Sequence, residues 1–354
     1  MGKYLLKVSN LEENMILGEN LFNKYGNLLM KKGIPLTNEL INEIKKNVSD
    51  KVIYIEKTHY QQKIIRDERN PEIIKNNFKR ITSLIKYSFD NLCINPNCTE
   101  LISNLSIVVK TIKASIKLNI HVLNHLTEID EVDDYLYRHS VNVGVISHFI
   151  GQWIGLSKED LDKLIMAGLL HDIGKLQIPD EILHKPAQLT TEEFNIVKNH
   201  SSLSYSHLKE IGFDDIDILS AVIHHHEKED GKGYPMGLMS EDIPLFSKII
   251  AIADIFDAMT SNRVYRKKEL PFIVLEMFLN SSFGKLDTKL VMLFVTKFSE
   301  YYLGTKVILN TGETAMILKF NEYELTKPLI RTDSGIFIDT SINREVKMVD
   351  FQLI

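Results

Sequence analysis

"LIMAGLLHDIGKLQIP", residues 164–179, is an apolar run that closes on a histidine and an aspartate. It reads as an apolar helix that delivers His171 and Asp172 near its end, with Gly174 placed to cap it. Neighbouring residues on a helix point about 100° apart, so Asp172 reaches past whatever His171 faces. Four other segments repeat the arrangement. "YRHSVNVGVISHFIGQWIG" (137–155) carries His139 among Val141, Val143, Val145, Ile146 and Phe149, and "IVKNHSSLSY" (196–205) carries His200. "ILSAVIHHHEKEDGKGYP" (218–235) sets His225 and His226 at a helix end, and "FSKIIAIADIFDAMTSNRVYR" (246–266) holds Asp254 inside an apolar helix. A carboxylate there is costly unless it has a partner.

Helical spacing extends beyond these segments. Phe78, Ile81, Leu84, Ile85, Tyr87 and Leu92 mark a helix from about residue 73, "NPN" at 95–97 ends it, and a second helical stretch covers about 99–127. The chain is therefore expected to be mainly α. Residues 1–57 read as a small α+β module, with Thr37 capping a helix from Asn38 to about Lys46 and "KVIYI" (51–55) as a closing strand. Residues 58–130 follow as a linker or regulatory helical region, opening on the charged, weakly periodic "EKTHYQQKIIRDERNPE" (56–72). Residues 131–300 form the helical body. Within 301–354, "KVILNTGETAMILKF", "LIRTDSGIFID" and "EVKMVDF" alternate apolar and polar around glycine turns and predict a small β unit.

Composition narrows the function classes. The net charge of −5 argues against a DNA-coating protein. No run of about 18 apolar residues predicts a membrane span, and the N-terminus lacks the apolar core of a signal peptide. The only cysteines, Cys93 and Cys98, are incidental thiols or at most one local disulfide, and the cytoplasm is the expected compartment.

A single apolar-flanked histidine is ordinarily a hydrogen-bonded core residue. Five histidines and two aspartates, spread over five apolar segments, point instead to metal. Imidazole with carboxylate suits borderline or hard first-row divalent ions, and the lack of cysteine argues against a thiolate zinc site. Asp172, turned away from His171, is placed to bridge two ions. The same 100° rule means that His224, His225 and His226 cannot share one site; His225 and His226 are taken as ligands. In the loop that follows, Gly231 and Gly233 permit conformations closed to other residues, and Pro235 fixes the exit.

The order His139, "HDIGK" (171–175), His200, "HHE" (225–227), "GYP" (233–235) and Asp254 resembles the HD-GYP branch of the HD phosphohydrolase superfamily, over about residues 130–275. The resemblance implies an HD-type helical bundle that hydrolyses cyclic di-GMP to linear pGpG, in some members onward to GMP. The nucleophile is a metal-bridging hydroxide at two or three metal ions, commonly iron or manganese. It also implies His139, His171, Asp172, His200, His225, His226 and Asp254 as ligands. Lys175, four residues after His171, is expected to share that helix face and to offset charge on the phosphoryl oxygens. Arg263 and Arg266 stand where family members contact the ligand's phosphates, and Asp257 falls as a hydrogen-bond acceptor rather than a ligand. Gly233, Tyr234 and Pro235 border the ligand, Tyr234 either stacking on a guanine or packing beneath the loop. The loop can also dock signalling partners such as diguanylate cyclases, and a homodimer stays open.

Two departures stand out. Three-metal members carry a glutamate one turn before the first histidine, where this chain has Tyr135, so two metals and a pGpG product are expected. The usual His-Pro is His200-Ser201 here. The alternatives are a cyclic di-GMP-binding effector with weak catalysis and a phosphodiesterase for another cyclic dinucleotide.

Overall fold

The computed structural model describes the chain apart from residues 1–2, 12, 14, 23–27, 35, 48–51, 57–70, 95–96, 119–134, 262–268, 282–283, 322–323 and 353–354. The backbone divides into two compact units, residues 1–73 and 74–354.

In the first unit, β1 (Lys3–Lys7) runs into a short 3₁₀ turn, and β2 (Leu21–Phe22) pairs with β3 (Leu28–Met30). Helix α1 (Asn38–Asn47) follows, and β4 (Val52–Glu56) returns antiparallel to β1, with Lys3 opposite Glu56. The expected cap is present: Thr37 Oγ1 accepts from the Leu40 amide at 3.3 Å. Ile41 and Ile44, three apart on α1, turn inward to a small core with Leu17, Leu36 and Ile55.

The second unit is helical until its last fifty residues, as the periodicity predicts. It contains all but the first three residues of α2 (Pro71–Ile94), then α3 (Cys98–Leu118), α4 (Tyr135–Trp153) and α5 (Lys158–Leu170). A 3₁₀ turn over Ile173–Gln177 leads to α6 (Asp180–Leu183), α7 (Thr191–Lys198), α8 (His200–Glu210) and α9 (Ile216–His224). The last helices are α10 (Leu245–Thr260), α11 (Pro271–Ser281) and α12 (Thr288–Glu300). Among the described residues no helix is long and apolar enough to cross a membrane. The stretch expected as helix over 99–127 is helical to Leu118; its remainder lies outside the described residues. Cys98 is a free thiol.

β5 (Lys306–Leu309), β6 (Thr314–Phe320), β7 (Pro328–Thr332), β8 (Phe337–Asp339) and β9 (Met348–Gln352) form an antiparallel sheet ordered β8-β7-β6-β5-β9. Burial alternates along β5 and the start of β6, which puts Val307, Leu309, Ala315 and Ile317 inside. These residues join the same core as Phe272, Phe298 and Tyr302 of the helical body. The Tyr302 and Phe351 rings stack at 4.9 Å across that junction.

One close approach sets up the functional region. α4 lies against α5 and α10. A β-carbon on Gly168 of α5 would sit 2.6 Å from the Gly144 Cα of α4, and one on Gly144 would sit 3.0 Å from the Ile165 carbonyl. The two glycines thus let the helices meet backbone to backbone, which brings His139 of α4 beside His171, the residue that ends α5, with ring centroids 5.2 Å apart.

Gly174 departs from its expected role. α5 stops at Leu170, and Gly174 sits in the 3₁₀ turn without a left-handed conformation. Its hydrogen faces α8, where a β-carbon would lie 2.2 Å from the His200 carbonyl oxygen and 2.4 Å from the Ser204 nitrogen. Closeness to a neighbouring helix, invisible in the local sequence, is what requires glycine there.

Gly168→Ala places a methyl in that crossing and is expected to lower stability by about 1–3 kcal/mol, as overpacking does. Urea unfolding measures it; an unchanged midpoint would mean that α4 and α5 are not in backbone contact.

Candidate metal centre

Helix ends do most of the placing. His171 caps the end of α5, His200 opens α8 directly after α7, and His225 caps the end of α9. Each ring donates its Nδ1 proton to the carbonyl three residues earlier: His171 to Gly168 (2.7 Å), His200 to Val197 (2.6 Å) and His225 to Val222 (2.7 Å). Those carbonyls belong to the final turns of their helices, where backbone acceptors lack a full set of intrahelical partners. The bonds fix the tautomer and leave each Nε2 with a lone pair aimed into the interior.

His139 and Asp254 come from helix middles. Asp257, one turn after Asp254, accepts the His139 Nδ1 proton at 2.7 Å and is held by Asn142 Nδ2 (2.7 Å) and Ser261 Oγ (3.0 Å). It is thus a hydrogen-bond acceptor behind His139.

The seven side chains singled out in the sequence converge. Asp172, His200, His225 and His226 each offer one atom, all within 4.8 Å of one another, and His139, His171 and Asp254 form a second such group. Asp172 faces both. Its Oδ2 lies 3.2 Å from His171 Nε2 and 3.5 Å from His139 Nε2, while Oδ1 lies 3.2 Å from His200 Nε2. Asp254 Oδ1 is 3.0 Å from His139 Nε2, and Oδ2 is 4.0 Å from His226 Nδ1.

The arrangement fits divalent cations. His139 Nε2, His171 Nε2 and Asp172 Oδ1 are buried without a hydrogen-bond partner among the described residues. The Nε2 atoms of His225 and His226 crowd His200 Nε2 at 3.3 and 3.1 Å. Lone pairs that close repel unless a cation or a shared proton lies between them. Three carboxylates, Asp172, Asp254 and Asp257, are buried here. Oriented imidazoles that give their second nitrogen to a carbonyl or carboxylate are the usual support of metal-binding histidines.

Protonation follows the same environment. Burial, reinforced by His226, His171 and His200, holds the His225 imidazole well below its ordinary pKa. Burial also pushes His226 down to about 3, against the pull of Asp254. Burial works against charge on His139 too, but Asp254 and Asp257 outweigh it and raise that ring to about 9. Burial likewise opposes charge on Asp172, yet His171 and Lys175 hold it well below the carboxylate range; His139 does the same for Asp254.

The remaining candidates fall into place unevenly. Lys175 Nζ pairs with Asp172 Oδ2, although it reaches there from the 3₁₀ turn and not from a shared helix face. Tyr234 packs on the His226 ring at 4.7 Å, and its amide donates to the His226 carbonyl at 3.2 Å. Burial, with Asp254 and Asp172, raises its hydroxyl pKa. Gly231 takes φ +70°, as expected of a turn glycine. Gly233 does not; a β-carbon there would lie 2.4 Å from Glu227 Cα and Lys228 N. Pro235 is exposed and follows a cis peptide bond. His224 stands apart from both groups, 3.8 Å from Glu227. Arg263 and Arg266 lie outside the described residues.

Two anchors were not read from the sequence. Buried Glu227 accepts from the amides of Met236 (2.7 Å), Gly237 (3.1 Å) and Leu238 (3.0 Å), tying the glycine loop to the histidine run. Ser204 Oγ accepts from the Gly174 amide (2.7 Å) and donates to the His171 carbonyl (3.0 Å). The glutamate beside the histidines was a visible signal; the serine had none.

The family model described as HD domain matches residues 112–277. Over those residues the chain is similar to HD domains. The chain is 31% identical over 229 residues to a cyclic di-GMP phosphodiesterase of Pseudomonas aeruginosa, covering 65% of this chain and 55% of that protein. It is 39% identical over 148 residues to a cyclic di-GMP phosphodiesterase of Thermotoga maritima, covering 42% and 40%. It is 37% identical over 175 residues to the 3'3'-cGAMP-specific phosphodiesterase 1 of Vibrio cholerae, covering 49% and 40%. The chain thus spans roughly half the length of these relatives. A solved HDG"Y"P protein from Bdellovibrio bacteriovorus shares the fold at a TM-score of 0.54 and 17% identity, over 83% of this chain and 98% of that one.

Asp257→Ala removes the acceptor that orients His139. Metal affinity, read by competition with a chromophoric chelator, is expected to fall about 10–100-fold, as for other supporting residues of metal-bound histidines. Unchanged affinity would remove His139 from the ligand set.

Proposed function

We propose that this chain is a metal-dependent phosphodiesterase that hydrolyses cyclic di-GMP to linear pGpG. The observation that carries this reading is the division of seven ligand side chains, six buried and His226 half-buried, into two groups that both face one carboxylate, Asp172. In the proposal His139, His171 and Asp254 hold one divalent ion, His200, His225 and His226 the other, and Asp172 spans both. Two such cations supply a nucleophilic hydroxide near neutral pH and stabilise charge on the phosphoryl and leaving oxygens.

The protein's own side chains do the rest. Lys175, already beside Asp172, offsets negative charge on the diester as it reacts. Tyr234, packed over His226, walls the site on the side of the glycine loop. Arg263 and Arg266 are assigned to the substrate phosphates, a role suited to their planar donor forks. Iron or manganese is the assigned metal, given a donor set of imidazole and carboxylate. Tyr135, stacked on His139 at 5.5 Å, offers no carboxylate for a third ion, which favours two metals and pGpG as the end product. The loop after Pro235 exposes Met236 and Met239, a surface available to a signalling partner such as a diguanylate cyclase.

The test is a chromatographic time course with cyclic di-GMP and anaerobically purified, iron- or manganese-loaded protein, alongside Asp172→Ala. Metal-dependent accumulation of pGpG, abolished in the variant, is expected. Intact cyclic di-GMP with turnover of 3'3'-cGAMP would move the substrate assignment. Tight binding without turnover would make the chain an effector.

A further inference from the structure

A slot borders the candidate metal centre between α10, which carries Asp254, and α11. His226 and Asp254 line one end, Ile255 and Met259 of α10 one side, and Met277 and Phe278 of α11 the other. Lys228 and Lys285, both exposed, stand at its mouth. Its volume is about 240 Å³.

We infer that this slot receives one base of the cyclic dinucleotide while the scissile diester lies at the metal centre, with Lys228 and Lys285 facing the phosphates outside. The inference rests on the phosphodiesterase reading above and extends it to substrate placement. Four observations carry it. The slot shares His226 and Asp254 with the centre, so a ligand whose phosphate sits there has its adjoining group at the slot's entrance. Its sides are apolar, and methionine sulfur is soft, adaptable and favourable against ring edges, which suits the flat faces of a base. Its size is below the roughly 300–1,000 Å³ of pockets that enclose a drug-sized ligand, so it takes part of such a molecule and leaves the rest at the mouth. Two ammonium groups at that mouth match a ligand whose outer part is anionic.

Met277 is 40% exposed, so it accepts a polar replacement without opening the core. The experiment compares the full chain with Met277→Glu, Met277→Leu and Lys285→Ala. Binding of cyclic di-GMP is measured by calorimetry on chelator-stripped protein, where no turnover occurs. Hydrolysis of bis(p-nitrophenyl) phosphate, a diester too small to need the slot, is measured on metal-loaded protein. Met277→Glu is expected to weaken cyclic di-GMP binding at least about tenfold, because it sets a carboxylate in the path of an anionic ligand. Met277→Leu should stay within about twofold, as volume-conserving apolar swaps do. Lys285→Ala, which cannot disturb folding from its exposed position, should weaken binding about threefold or more through loss of a cation at the mouth. All three should hydrolyse the small diester at the wild-type rate. Unchanged cyclic di-GMP binding in Met277→Glu, or in Lys285→Ala should the glutamate variant not fold, overturns the slot alone. A wild-type chain that cleaves the small diester but neither binds nor cleaves cyclic di-GMP overturns the parent reading, and the base slot with it.

Discussion

The structure depends on one buried carboxylate. Asp172 is 1% exposed, and its two oxygens are divided between two sets of imidazoles. An ionised carboxylate in that position is tolerated only if positive charge surrounds it. Lys175 and the His139 ring, which its carboxylate neighbours raise to about 9, are the cations nearby, against three buried carboxylates. The imbalance, together with imidazole nitrogens that face one another, calls for further cations. Divalent ions answer both demands at once, because they pair the carboxylates and take up the lone pairs.

The fold meets this demand by bringing helix termini together. α5, α7 and α9 end at the centre, and the carbonyls of their last turns hold the His171, His200 and His225 rings by Nδ1. Helix C-termini carry partial negative charge, so three of them around one centre add to its preference for cations. The same bonds fix ring direction without help from other side chains. His139, in mid-helix, has no carbonyl available to it, and Asp257 substitutes as the acceptor. The close crossing of α4 and α5 through Gly144 and Gly168 then brings His139 and His171 together within one of the two groups. Glu227 extends the order outward by holding three amides of the glycine loop.

Much of this was legible because it is local. The seven converging residues each sat on an apolar helix or at its end, and helix ends can be read from periodicity and breakers. The 100° offset between His171 and Asp172 is a property of any helix, and it foretold a carboxylate facing two groups. The N-terminal helix behind Thr37 and the C-terminal strands were legible for the same reason. What stayed hidden depends on which elements touch. Gly174 was read as a cap because its neighbours in sequence suggested one, whereas its constraint comes from α8, about thirty residues away. Ser204 looks like any serine until Gly174 is seen beside it. Lys175 reached the site as expected, but from a 3₁₀ turn that the α-helical spacing did not describe. Tyr135 was informative as a missing carboxylate; that it stacks on His139 required the packed helix.

The central claim is that this interior is built around two cations shared by Asp172. The most direct measurement is a crystal structure of the metal-loaded chain with anomalous data at the manganese or iron edge. Two peaks are predicted, one among His139, His171 and Asp254 and the other among His200, His225 and His226, each with an Asp172 oxygen in its coordination sphere. A single peak, or two peaks of which only one contacts Asp172, would contradict the account.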